Sequence, residues 1–407
     1  MGRFAPPIST KLFQLLLTMS KLSSKIIPAV ALFLASCSMV NEDLEPCAPA
    51  PKTFTTVNFV YDYNMQFEDL FDKHAGSVYL YVFDNQGVFQ MRRTAHRVNM
   101  KEGEVDFSMT FDESQLQPGQ TYQLVAVAQG NRIGYQSSLE TPGFTLQTEM
   151  VEGVSKIEDY ILKLDRDDDG TFDFGVVNYK DAYGNNNQMI DTLWTTKPDE
   201  VQILKVPELN YKPSPVKEPD HQLEVTIPMM RITNSITVNL VNPAFKEGTN
   251  PDDFTFLIDF PNGNGTIDFT GKTYPAQELY YRSLRKQTIP YTPKQKGSSF
   301  YAASTRADGE TYAVQAVFGV SRLQVTDGSS LQIRDPETNE ILSKVDDFSN
   351  FLADFFEHGF SDNQEFLDRE YDFQIDLELD NEGKIVWIQC GCAILGWAKR
   401  VYYYDLM

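Results

Sequence analysis

Ser77-Val78-Tyr79-Leu80-Tyr81-Val82-Phe83-Asp84 is the stretch whose reading decides the fold class. It is β-branched and aromatic on both faces, which predicts a β-strand, and Asn85-Gln86-Gly87 follows it as a turn. Working outward, Val57 to Asp62 alternates Val57, Phe59 and Tyr61 against smaller or polar neighbours and predicts a strand as well. Tyr122 to Gln129 predicts another, closed by Gly130-Asn131. Pieces of the same kind recur at Leu223 to Ile227, Ile236 to Leu240, Thr255 to Phe260, Thr311 to Phe318, Phe373 to Leu379 and Ile385 to Ile394. Strands of this size at these intervals predict β-sandwiches rather than a parallel α/β sheet.

Helical signals are few. Val154, Ile157, Tyr160, Ile161 and Leu164 recur at helical spacing, as do Phe348, Phe351, Leu352, Phe355 and Phe356 after the candidate cap Asp346. Both stripes read as core-facing helices, and Asn262-Gly263-Asn264-Gly265 reads as a hairpin turn. The fold class is therefore all-β with a few short helices. Between Val206 and Gln222 the chain carries Pro207, Pro213, Pro215 and Pro219 with little apolar periodicity, which predicts an extended connection. That places one β-domain over residues 53–210 and a second over 222–407, in keeping with what 407 residues ordinarily supply.

Composition excludes some functions. The 42% hydrophobic and 13% aromatic content is too rich for intrinsic disorder. A net charge of −22 repels phosphates, so nucleic acid is excluded as a partner.

The N-terminus predicts a destination. Lys21 and Lys25 precede the apolar run Ile26 to Ala35, which is far shorter than the roughly 20 residues of a bilayer-spanning helix. It reads as the core of a signal peptide over residues 1–36, with Met19 as an alternative start. Leu34-Ala35-Ser36-Cys37 resembles the lipobox of bacterial lipoproteins, which implies acylation of Cys37 and removal of everything before it. Residues 37–52 then form a lipidated leader. Ser38 after Cys37 favours the outer membrane, and Glu42-Asp43-Glu45 resembles surface-exposure signals.

The other cysteines are Cys47, Cys390 and Cys392, an odd number, so at most one disulfide forms within the chain. Cys47 pairing with Cys390 or Cys392 is one reading, and three buried free thiols the other. No second Cys pair or His cluster completes a zinc site, so no metal is expected there. His74, His96, His221 and His358 stand in no metalloprotease spacing, no nucleophile elbow or phosphate loop occurs, and the reading is a protein that is not an enzyme. Asp165, Asp167 and Asp169 before Gly170 occupy positions 1, 3, 5 and 6 of a calcium-type loop, and Asp173 fits position 9. Val176 stands where the bidentate Glu is required. The two readings are a calcium site and an acidic turn, and no other cofactor is expected.

Several stretches together resemble the FimB-like fimbrial anchor lipoproteins of the type V pili of Bacteroidia. They are Cys37 with Glu42-Asp43-Leu44-Glu45-Pro46-Cys47, then Phe59-Val60-Tyr61-Asp62-Tyr63-Asn64-Met65, then Val78 to Asp84. Met230-Arg231-Ile232-Thr233-Asn234, Ser321-Arg322-Leu323, Phe366-Leu367-Asp368-Arg369 and Ile394-Leu395-Gly396-Trp397 follow in the family's order, with Ile232 standing where Asn is expected. The resemblance implies two tandem transthyretin-like β-sandwich domains and a structural role. That role is a lipid-anchored minor subunit of a fimbrium, attaching it to the outer membrane and limiting its length. Its partners are pilin subunits, joined by β-strand addition. Stalk subunits of such pili lose their first strand to an arginine-specific protease. A cut here at Arg92 or Arg93 would part the fold from Cys37, so Thr53 to Tyr63 is expected to remain as a resident strand. The alternatives are a surface glycan-binding lipoprotein, which exposed aromatics would serve, and a hydrolase with paired carboxylates.

Overall fold

The computed structural model describes residues 48–101, 103–130, 144–164, 192–198, 202–208, 212, 217–273, 278–291, 311–355, 359–360, 362–380, 385–392 and 402–404. Residues 52–209 and 221–407 form one compact unit; Met1–Pro51 and Asn210–Asp220 form another, in which only a few residues are described. Among its described residues the compact unit is a set of β-sheets with three short α-helices, as its strand-rich sequence predicts.

The largest sheet takes β1 (Thr53–Val60), β2 (Ala75–Asp84), β3 (Phe89–His96), β4 (Met109–Asp112), β5 (Thr121–Gly130), β8 (Leu193–Thr196) and β10 (His221–Arg231) in the order β3-β2-β5-β8-β10-β1-β4. A further strand, β9 (Gln202–Lys205), pairs with β5. Its curvature follows from β10, which pairs with β1 over its first eight residues and with β8 over its last three. The two branches so formed enclose one core. Val57 and Phe59 of β1, Met109 and Phe111 of β4, and Ile227 and Met229 of β10 meet Val78, Leu80 and Val82 of β2, Leu124 and Ala126 of β5, and Trp194 of β8.

β2 is buried on both faces. While Val78, Leu80 and Val82 enter that core, the alternate residues Tyr79, Tyr81 and Phe83 enter a second one. A three-stranded sheet of order β13-β7-β6 contributes Phe144, Leu162, Leu164 and Ile267 to this second core, from β6 (Phe144–Leu146), β7 (Ile161–Leu164) and β13 (Thr266–Asp268). Gly265 permits its close approach: a Cβ there would lie 2.9 Å from the Leu164 Cβ.

The same apolar cluster runs on into the rest of the chain. There a six-stranded sheet of order β15-β16-β11-β19-β20-β21 comprises β11 (Thr233–Val241), β15 (Arg285–Tyr291), β16 (Thr311–Ser321), β19 (Asp372–Leu379), β20 (Ile385–Cys392) and β21 (Tyr402–Tyr404). A four-stranded sheet of order β14-β12-β17-β18 comprises β12 (Thr255–Phe260), β14 (Leu279–Arg282), β17 (Ser330–Arg334) and β18 (Ile341–Val345). Ile236, Val238, Val314, Phe318 and Ile375 of the first pack with Phe256, Ile258, Leu331 and Ile333 of the second. Of the helices α1 (Phe71–His74), α2 (Phe348–Phe355) and α3 (Asn363–Arg369), the latter two add Phe348, Leu352, Phe366 and Leu367 to this core.

Four expectations need correction. The stripe from Val154 to Leu164 is not a helix: it is a single 3₁₀ turn, Ile157–Asp159, followed by β7. Beneath the helical spacing lies the alternation of buried Tyr160, Leu162 and Leu164, and ladders to β6 and β13 take the backbone hydrogen bonds a helix would have used. Asn262-Gly263-Asn264-Gly265 does form a turn, with Gly263 at φ 65°, but β12 and β13 on either side of it enter different sheets rather than a hairpin. The strand following the Pro-rich stretch does not open a new sheet. β10 is embedded between β1 and β8, and the chain passes to the next large sheet only at Ile232, since β10 supplies the inner partner that β1 lacks. The second predicted helix is present as α2, although Asp346 is not its cap and instead pairs with Lys344 at 2.6 Å.

Candidate functional site

β1 and the connection leaving it form the candidate site. Inward-facing Thr53, Thr55, Val57 and Phe59 alternate with half-buried Phe54, Thr56, Asn58 and Val60, so the strand's period-2 pattern fixes its register. Both edges are used. One edge pairs in parallel with β10 from Thr53↔His221 to Val60↔Pro228, and the other pairs antiparallel with β4 from Phe54↔Asp112 to Val57↔Met109. Parallel neighbours cannot be joined by a tight turn, which accounts for the long chain between β1 and β10.

The connection is built on Asn64, whose side chain is buried. Its Nδ2 donates to the carbonyls of Tyr61 and Glu68, both at 2.9 Å, and its Oδ1 accepts from the Gln66 N–H at 2.9 Å. Asp69 Oδ1 accepts from the N–H groups of Tyr61 and Phe71 at 2.9 and 3.0 Å. Phe67, 62% exposed, takes the left-handed conformation with φ 56°. A non-glycine residue there carries local strain.

The Phe67 ring lies against α3. The Arg369 guanidinium sits 4.1 Å from the Tyr63 ring centroid, 4.7 Å from Phe67 and 5.5 Å from Phe360, and its Nη1 donates to the Asn64 carbonyl at 3.5 Å. Lys197 Nζ lies 4.6 Å from the Tyr63 ring. Arg369 Nε also donates to Glu365 Oε1 at 2.9 Å, which orients the guanidinium. α3 is held in turn by Arg322, which donates through Nε and Nη2 to the two oxygens of Asp368 at 2.8 Å each. Burial, with Asp368 nearby, pushes the Tyr63 phenol up to about 12, Arg369 opposing the rise.

Of the described stretches that carry the family resemblance, those at residues 59–65, 230–234, 321–323 and 366–369 meet here. Arg231 donates from Nε to the Thr233 carbonyl at 2.9 Å and stacks 4.0 Å from the Tyr371 ring. Desolvation lowers its pKa and raises that of Tyr61, whose ring meets Trp194 edge-on at 5.8 Å. Asn234 Nδ2 reaches the Ser321 carbonyl at 3.4 Å, and Ile232 is fully buried in the shared core. Sequence reading did not pair Tyr63 with Arg369 or assign Asn64 a structural role; Asn64 and Asp69, turn-favouring residues of this connection, were the available signal.

None of the predicted site residues is among the described members of this cluster. Cys37, Cys47 and the loop Asp165, Asp167, Asp169 and Asp173 lie outside the described residues. Cys390 and Cys392 occupy register positions in β20 opposite Ile375 and Phe373. Arg92 and Arg93 lie in β3, opposite Tyr81 and Leu80, with Arg93 donating to the Thr110 carbonyl at 3.4 Å. Among the described residues no group of three or more His, Cys, Asp or Glu could hold a metal.

The family model for fimbrillin-A associated anchor proteins Mfa1 and Mfa2 matches residues 45–402. The chain belongs to this family of fimbrial anchor proteins. No curated protein matches the chain. Among solved structures, the fimbrial anchor protein Mfa2 from Porphyromonas gingivalis is 15% identical with a TM-score of 0.52, covering 86% of this chain and 100% of its own. A candidate adhesin from Bacteroides thetaiotaomicron is 19% identical with a TM-score of 0.61, covering 88% and 99%. A candidate polysaccharide-binding protein from the same species is 20% identical with a TM-score of 0.59, covering 87% and 98%. At these identities the solved structures show the shared fold. This anchor family is a structural one associated with fimbriae at the cell surface, and no helix among the described residues is long and apolar enough to cross a membrane.

Proposed function

We propose that this anchor-family protein is a lipid-anchored minor subunit of a cell-surface fimbrium, tethered in the outer membrane through acyl chains on Cys37 and limiting fimbrial length. The observation that carries the reading is the seating of β1. Strand addition between subunits needs a vacant strand position for a donor strand to fill, and β1 occupies its own position with both edges paired. A subunit whose first strand stays resident accepts no donor there and ends the addition series on that side. The segment from Ser38 to Met91 contains no arginine, so an arginine-specific protease first meets Arg92, inside β3. Keeping β1 also keeps the covalent path to Cys37, and two or more acyl chains make a firm anchor.

The test is Cys37→Ala in the native cell, with fractionation of the protein and measurement of fimbrial length by negative-stain microscopy. Loss of the protein from the membrane together with shed or altered fimbriae is the expected result. Detachment with unaltered fimbriae would overturn the reading, and polysaccharide binding would then be assayed.

A further inference from the structure

We propose that the parallel ladder between β1 and β10 is a mechanical clamp, arranged so that tension entering from the N-terminal leader loads the whole ladder in shear. The inference rests on the anchoring function only for the source of that tension; the clamp itself follows from strand direction. Among the described residues two ladders are parallel, β1 with β10 and β11 with β19. The leader joins β1 at Thr53, and the chain leaves β10 at Arg231 and continues through Ile232 into β11. In a parallel pair these two attachment points lie at opposite ends of the ladder. Pulling them apart therefore drags the strands past one another, and all eight paired positions from Thr53↔His221 to Val60↔Pro228 are strained together. Had the pair been antiparallel, the same two ends would lie side by side and tension would peel the bonds open one at a time.

Three further features suit the role. The side-chain period forbids a slip of one residue, because it would turn buried Thr55, Val57 and Phe59 outward. Beyond Ile232 the load passes into β11, seated between β16 and β19 over nine and seven paired positions. At the far end of β1, the Asn64 carbonyl and the Tyr63 and Phe67 rings grip Arg369 of α3, which fastens the strand's exit to the same part of the chain. Resistance to force is set by the unfolding barrier rather than by equilibrium stability, so such a ladder gives the anchor a long attachment time without a very stable fold.

The test is single-molecule pulling on the full mature chain, with an N-terminal handle in place of the lipid and a second handle in one of two exposed sites. A handle inserted at Glu337, in the turn before β18, loads the ladder in shear. A handle inserted at Lys217, just before β10, peels it from the Thr53↔His221 end. The expected result is a rupture force several-fold higher in the first geometry, lowered by Val57→Ala, which trims the ladder's core contact and keeps the fold. Equal forces in the two geometries, or a first rupture in the shear geometry that leaves β1 in place, would overturn the proposal. Because purified protein is pulled, the result is independent of the cell assay: a strong clamp with unaltered fimbriae in Cys37→Ala cells sinks the anchor reading alone, and shed fimbriae with a weak ladder sink the clamp alone.

Discussion

Arg322 and Asp368 meet through two parallel hydrogen bonds of 2.8 Å, with only 9% and 7% of their side chains exposed. Gln364 Nε2 adds a third bond to Asp368 Oδ1 at 2.9 Å and a fourth to the Leu323 carbonyl at 3.0 Å. The pair thereby pins α3, and with it Arg369, to the end of β16. Removing one partner strands a charge in a dry site, so Asp368→Ala is expected to lower stability by about 3–5 kcal/mol. Replacing both, as Arg322→Met with Asp368→Leu, is expected to recover most of that loss. Urea unfolding of the two variants checks this, and a single variant costing less than about 1 kcal/mol would mean the pair is a weak surface contact.

Tyr160 makes the opposite case. Its ring packs edge-on to Tyr81 at 5.0 Å, the residue is 1% exposed, and its buried hydroxyl has no hydrogen-bond partner among the described residues. Such a group bears the cost of desolvation with no return. Tyr160→Phe keeps the ring contact and removes the cost, so the unfolding free energy from urea titration is expected to stay level or rise by up to about 1 kcal/mol. A loss of that size would reveal a hydrogen bond to the hydroxyl in solution.

Why the strands were legible and the clasp was not follows from where each signal resides. Val78 to Phe83 show two buried faces because both faces are apolar in the sequence itself, and the strand at Thr255–Phe260 is found with the same bounds for the same kind of reason. The stripe at Val154 to Leu164 satisfied two periods at once, and only the neighbouring strands β6 and β13 decided between them. The prolines between Val206 and Gln222 predict an extended connection but not where the chain goes after it, since nothing local reveals that His221 pairs with Thr53. Asn64 and Arg369 stand 305 residues apart, and a contact at that separation leaves no periodic trace. The resemblance covered what periodicity did not, because its stretches at Phe59, Met230, Ser321 and Phe366 all converge on the junction around β1 and α3.

Alkaline pH is expected to loosen this junction. Burial raises Tyr63 and Tyr81 from 10.0 to about 12 in the folded protein. A phenol raised in this way is protonated in the folded state where the unfolded chain has already lost its proton, so the folded state binds more protons in that window. The contribution is complete below pH 10 and is lost as pH rises toward 12. Urea midpoints are therefore expected to hold steady up to about pH 10 and fall beyond it, with late phenolate absorbance marking the buried tyrosines. Tyr63→Phe retains the face that Arg369 covers and should show a shallower fall. An unchanged midpoint through the window would mean that these phenols titrate as exposed ones do.

Asn64 offers the most local test of the connection. Its amide nitrogen serves two carbonyls, those of Tyr61 and Glu68, and its oxygen serves the Gln66 N–H. Asp has the same shape but no donors, so Asn64→Asp sets a carboxylate against two carbonyl oxygens in a buried site. The expected cost is about 1–3 kcal/mol, the penalty of leaving buried polar groups unsatisfied, increased by the charge. Because the loop also positions Phe67 and Tyr63 over Arg369, its loosening should register first as local opening. Limited proteolysis is then expected to cut at Lys73, between β1 and β2, before the remainder of the chain is attacked. Global unfolding without that early cut would mean that Asn64 supports the whole sheet rather than the exit of its first strand.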